Sequence, residues 1–156
     1  MLGLEPHAIA RMGLGYVPED RRLFTALTVA ENLTIAARKG MDSDATQGDQ
    51  KETLPQRQER VLSLFPTLKT MLPRKAAHMS GGEQQMLSIA RTLMTGPALL
   101  LLDEPCEGIA PVLVEAIRDA LLQLKTEGIP MLVAEQNTIL ASRADRVITL
   151  IAGQAA

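Results

Sequence analysis

Residues 79–105 read M-S-G-G-E-Q-Q-M-L-S-I-A-R-T-L-M-T-G-P-A-L-L-L-L-D-E-P, and the rest of the chain is organised around them. Two chemically distinct pieces are joined there by one helix. Ser80 followed by Glu83 predicts a capping box, with the serine hydroxyl accepting from the Glu83 amide and the glutamate reaching back. Gly81 and Gly82 leave the backbone bare, so a ligand can come close to the amides. A helix start with free amides and a favourable dipole is an anion site.

The helix that follows is amphipathic in pattern. Met86, Ile89, Ala90 and Leu93 fall on one face, and Gln84, Ser88, Arg91 and Thr95 on the other. Gly96-Pro97 stops it, a glycine cap followed by a helix-breaking proline. Residues 98–102 are then apolar without alternation, as in a parallel strand buried on both faces. Asp103 and Glu104 emerge at its carboxyl end, where open α/β sheets bind ligands. One acid can hold Mg²⁺, usually through water, and the other can orient or deprotonate a water that attacks a γ-phosphate.

S-G-G-E-Q-Q at residues 80–85 followed by L-L-L-L-D-E-P at 99–105 resembles the ATPase subunit of ABC transporters, matching its signature and Walker B motifs. S-G-G-E alone is more often a plain helix cap, and an apolar strand ending in Asp-Glu is common. Their order and spacing together make the resemblance specific. It implies a P-loop NTPase fold of the ABC ATPase type: α/β, with a mostly parallel sheet and an inserted helical subdomain.

Composition is compatible with that class. The 156 residues suffice for one domain with a core, and 46% of them are hydrophobic. A net charge of −2 and a pI of about 5.7 give no electrostatic footprint for nucleic acid. Cys106 is the single cysteine, which forbids an internal disulfide and fits a reducing compartment. No apolar run approaches the roughly 20 residues that span a bilayer, and residues 1–12 lack the apolar core of a signal peptide. The expectation is a cytoplasmic chain.

No lysine follows a glycine, so G-x-x-x-x-G-K-[ST], the loop that cradles β- and γ-phosphates, does not occur. By the resemblance that loop stands upstream of everything here. The expectation is therefore that Met1 falls partway through the fold and that Gly153-Gln154 is an early turn near its end.

Other stretches extend the resemblance. G-L-G-Y-V-P at residues 13–18 reads as a short strand, and the charged turn after it corresponds to the Q-loop, with Glu19 where the usual glutamine stands. V-P-E followed by R-R-L-F resembles the branched-chain amino-acid importer branch. So does E-G-I-A-P at residues 107–111, the D-loop, where Ala110 replaces a frequent aspartate and Cys106 a common serine. Cys106 has no histidine nearby in sequence and is not read as a nucleophile. After a strand at residues 129–134, Gln136 takes the place of the H-loop histidine; an amide can donate to phosphate but carries no titrating charge.

The remaining elements are read from local signals. Thr28 and Glu31 predict a second capping box opening a helix to about residue 39. Residues 41–56 read as a polar connection without chemistry. A helix is expected over 56–65, ended by Pro66, and another from Pro111, at its first position, to residue 125. A last strand is expected over 146–151, and His7 and His78 read as solvated loop residues. Residues 25–79 would form the helical subdomain and 80–156 the core around the signature helix and Walker B.

In the family two cassettes pair head to tail. The resemblance thus assigns Ser80, Gly81, Gly82 and Glu83 to ATP held by a second ATPase subunit. Asp103 and Glu19 would meet Mg²⁺ through water, Glu104 would act as general base and Gln136 as a polar sensor. It implies transmembrane permease partners and a peripheral place on the inner face of the plasma membrane. ATP hydrolysis would power uptake of a branched-chain amino acid; urea or another small solute, and a non-hydrolysing fragment acting only as a binding module, stay open as alternatives.

Overall fold

The computed structural model describes residues 3–37, 52–136 and 138–155. Helix α1 (Pro6–Arg11) leads into strand β1 (Leu14–Val17), and α2 (Val29–Ala36) follows the charged turn. Then come α3 (Leu54–Leu64), α4 (Pro66–Thr70), a 3-10 turn (Ala76–His78) and α5 (Gly81–Leu93). The second half holds β2 (Leu99–Asp103), α6 (Pro111–Thr126), β3 (Met131–Ala134), α7 (Thr138–Ala141), β4 (Leu150–Ile151) and β5 (Gln154–Ala155).

Strands β1, β2 and β3 form one sheet in that order, all parallel. The register sets Tyr16 beside Leu101, Val17 beside Leu102 and Asp103 beside Ala134. All three strands therefore deliver the residues after them to the same edge, as parallel strands joined by helical crossovers must. Central strand β2 buries Leu100 and Leu102, while Leu99, Leu101 and Asp103 are half-buried. The unbroken apolar run had predicted burial on both faces; one face is fully covered.

Helix α5 packs on β1 and on α2, with Met86, Leu87, Ile89, Ala90 and Leu93 buried. Its expected polar face is not solvated throughout. Ser88 is 1% exposed and Gln85 2%, because the 19–22 turn lies over them. Ser88 donates to the Arg21 carbonyl at 3.0 Å and Gln85 accepts from Arg21 Nε at 3.2 Å. Ser88 is thereby satisfied in its burial, whereas Gln85 Nε2 is buried with no hydrogen-bond partner among the described residues.

Three local expectations need correction. Helix α3 begins at Leu54, two residues before the expected start, because Thr53 and Gln56 form a capping box of their own. The polar connection thus ends earlier, and residues 41–51 of it lie outside the described residues. Pro66 ends α3 but also opens α4, since a proline suits a first helical turn. The last strand is confined to Leu150–Ile151, pairing antiparallel with Gln154–Ala155 as a separate hairpin. Residues 146–149 have no strand beside them and stay exposed, so their apolar run makes no ladder.

Candidate functional site

The predicted cap at the start of α5 is present. Ser80 accepts from the Glu83 amide at 3.4 Å, and the Glu83 carboxylate takes the Ser80 N–H at 2.7 Å. Glu83 is thereby committed to the cap. The two glycines have different reasons to be there. A β-carbon on Gly81 would lie 3.3 Å from an Arg21 guanidinium nitrogen. One on Gly82 would collide with Leu113 Cδ1 at 2.3 Å and Ile109 Cγ2 at 2.9 Å. Gly82 is buried, and its bare face is filled by the start of α6. The open approach read from two glycines therefore narrows to Ser80 and Gly81.

The carboxylates gather at the carboxyl end of the sheet. Asp103 Oδ2 accepts from the Tyr16 hydroxyl across the β1–β2 register at 3.1 Å, and Oδ1 makes no hydrogen bond among the described residues. That bond, with the Asp103 charge behind it, raises the Tyr16 pKa. Glu104 follows in the left-handed backbone region, φ 43°, its N–H donating to Ala134 O at 2.9 Å. Its Oε1 accepts from Gln136 Nε2 at 2.9 Å, so two residues expected to share a reaction are in direct contact. Glu107, one turn on, has its pKa raised by a hydrogen bond and charge repulsion from Glu104, with Glu19 adding to the repulsion.

Glu19 is exposed and makes no hydrogen bond among the described residues. Among those residues no set of three or more acid, histidine or cysteine side chains is placed to hold a metal ion. What the edge does offer is carboxylate oxygen, a hard donor suited to Mg²⁺, which takes one or two carboxylates and keeps water and phosphate oxygens as its other ligands. The donor set fits that ion. Among the described residues no hydrogen bond joins the signature cap to the carboxylate edge, and Gly82 packs against Ile109 and Leu113, which follow that edge in the chain.

Cys106 is buried, and its thiol is pushed up to about 12, first by burial and then by the charge and hydrogen bond of Glu135. A thiol held neutral is not a nucleophile, as the sequence led us to expect. His78 is exposed at the end of its 3-10 turn and His7 in α1 is exposed as well.

These features coincide with a match to the ABC transporter family over residues 3–107. The chain belongs to that family. Over 155 residues it is 42% identical to BraG, the high-affinity branched-chain amino-acid transport ATP-binding protein of Pseudomonas aeruginosa, covering 99% of this chain. It is 36% identical to LivF, a probable branched-chain amino-acid transport ATP-binding protein of Archaeoglobus fulgidus, over 98% of this chain. The cassette spans 63% and 62% of those relatives' lengths. A crystal structure of a nucleotide-free ATP-binding cassette from an ABC transporter superposes with TM-score 0.75 at 27% identity, covering 97% of this chain and 62% of that one. The α/β fold with a parallel sheet is thus the fold of an ABC cassette. Among the described residues no helix is long and apolar enough to cross a membrane.

Four residues at this site of the cassette escaped the motif reading. Tyr16 holds Asp103, Arg21 covers Gly81, Glu107 presses on Glu104 and Glu135 holds the amide of Cys106. Their contacts reach across 29 or more residues of sequence, Glu107 excepted, and no local pattern encodes them. Glu107 lay in view three residues after Glu104, a spacing of one turn.

Proposed function

We propose that this chain supplies the signature helix and the hydrolytic carboxylates of the ATP-binding subunit of an ABC importer for branched-chain amino acids. The observation that carries the reading is Glu104, which stands at the carboxyl end of β2 with one carboxylate oxygen held by Gln136 at 2.9 Å. The names of the relatives BraG and LivF support the cargo.

Residue roles follow from placement. Glu104 takes a proton from the attacking water, with Gln136 Nε2 holding its Oε1 and Glu107 hydrogen-bonded to the same carboxyl group. Asp103, steadied by Tyr16, and Glu19 would hold Mg²⁺ through water. Bound there, the ion would neutralise charge on the phosphates. Ser80 and Gly81 present the α5 end to the γ-phosphate of ATP on a second cassette, paired head to tail, with Gly82 setting the closeness of α6. Helices α2, α3 and α4 belong to the helical subdomain and dock permease subunits, which hold the cassette at the inner face of the plasma membrane.

The test uses a full-length cassette carrying these residues together with a phosphate loop. Glu104→Gln is expected to lower ATP turnover by about 10²–10⁴; retained hydrolysis sinks the assignment. In a strain lacking its own importer ATPase, that cassette should restore leucine uptake. Restored urea uptake without leucine uptake would move the cargo to the small-solute class.

A further inference from the structure

Glu135 follows β3 and is half-buried, and no motif assigns it a role. Its Oε2 accepts the backbone N–H of Cys106 at 3.1 Å, and its Oε1 the backbone N–H of Gln136 at 2.9 Å. Two more bonds join the same segments: Glu104 N–H to Ala134 O, and Gln136 Nε2 to Glu104 Oε1, both 2.9 Å. The turn after β2 is thus tied to the turn after β3 at 104, at 106 and through the side chains between. Hydrogen bonds to a charged acceptor are roughly twice as strong as neutral ones. Two carboxylate oxygens on one rigid group also fix the spacing of the two amides they hold. Glu104 needs such support, because a non-glycine residue at φ 43° persists only where its surroundings over-determine it.

We propose that Glu135 is a positioning residue: by clamping the Cys106 and Gln136 amides with one carboxylate, it sets the Glu104–Gln136 pair for reaction. The inference rests on the reading of Glu104 as the base. Glu135 touches neither substrate nor water in this role and acts through the two turns. Glutamine at 135 keeps one carbonyl acceptor but turns an NH₂ toward the other amide, so one arm of the clamp is lost while size and shape stay.

The experiment compares the full-length cassette with its Glu135→Gln and Glu135→Ala variants. It measures kcat, KM for ATP, thermal midpoint and hydrogen exchange of the Cys106 amide. Glu135→Gln should lower kcat about tenfold with KM within about twofold, as a small misplacement of a reacting group does. The Cys106 amide should exchange about tenfold faster or more, with the midpoint within about 3 °C. Glu135→Ala should deepen both effects. Unchanged Cys106 exchange means that no clamp exists. Faster exchange with undiminished kcat means a clamp that positions nothing, and loss of folding in both variants means a purely structural residue; each overturns the proposal. Failure of the base assignment is separable, because it shows as hydrolysis retained in Glu104→Gln while Cys106 exchange still responds to residue 135.

Discussion

Cys106 shows how strongly this site depends on its surroundings at the scale of one side chain. A thiol in a small secreted domain or a papain-like site would be chemistry; here burial and the Glu135 carboxylate hold it neutral, at about 12 against an ordinary 9.0. The sign of the linked stability follows. The unfolded chain releases the thiol proton at lower pH than the folded one, so this contribution is complete below about 9 and is lost as pH rises toward 12. We expect urea midpoints to fall between pH 8 and pH 10.5, and the fall to shrink in Cys106→Ala. An identical slope in that variant would remove Cys106 as the cause. Motifs named Ser80, Asp103, Glu104 and Gln136 from the sequence, and the structure brings the last three of them to one edge of the sheet. Tyr16, Arg21 and Glu135 were not named, because each acts on a residue far from it in sequence, on another strand, helix or turn.

Among the elements, α5 is the one on which both halves of the molecule close. Its N-terminal cap was predictable, since a capping box is encoded within four residues. Ser80→Ala should cost about 1 kcal/mol in a urea melt. Gly82→Ala should cost more, about 1–3 kcal/mol, because the new methyl meets Leu113 and Ile109 inside van der Waals contact. The pair of melts separates the two glycine roles: were Gly82 a bare ligand surface alone, alanine there would raise helix propensity and stabilise. What the sequence pattern missed in α5 is Ser88 and Gln85, polar yet buried. Periodicity assigns a polar side chain to solvent, and only the 19–22 turn folded across the helix reverses that.

The molecule as a whole is held by apolar packing around β2 and by one set of ion pairs between distant helices. Glu52 accepts from Arg57 Nε at 2.9 Å and from Arg60 Nε at 2.8 Å, and Arg60 also reaches Glu127 beyond the end of α6 at 3.0 Å. Burial pushes the Glu52 carboxyl up, but bonds from both guanidiniums outweigh it and hold it below the ordinary value. Its stabilising part is therefore present at neutral pH and lost as pH falls through the carboxylate range. Glu52→Gln should cost about 1–3 kcal/mol at pH 7 and less at pH 3. A loss independent of pH would point to packing instead. Glu52 stood in a stretch read as having no chemistry; its partners are Arg57 and Arg60, and Arg60 in turn reaches Glu127, 67 residues further along the chain.

A second whole-molecule consequence comes from the exposed apolar side chains Leu132, Val147, Ile148, Leu150 and Ile151, each 57% exposed or more. Exposed large apolar side chains of this kind favour association. Sedimentation of the purified chain should show mass increasing with concentration; a concentration-independent monomer would overturn the expectation.

What the sequence by itself determined is what local chemistry encodes. Capping boxes, glycine and proline stops, an unbroken apolar strand and a pair of acids at its end all act within a few residues. They were enough for the fold class, for β1, α2, α3, α5, β2, α6 and β3 and for the family, but not for α1 or α4. Tertiary structure alone decided that the bare face of Gly82 is filled, that Ser88 is inside, that 146–149 form no ladder and that Glu135 clamps two turns. Each of those depends on parallel strands brought side by side by the helices between them, so that residues far apart in sequence share one edge. Contacts of that length leave no periodic trace, because their partners are chosen by packing rather than by neighbours along the chain.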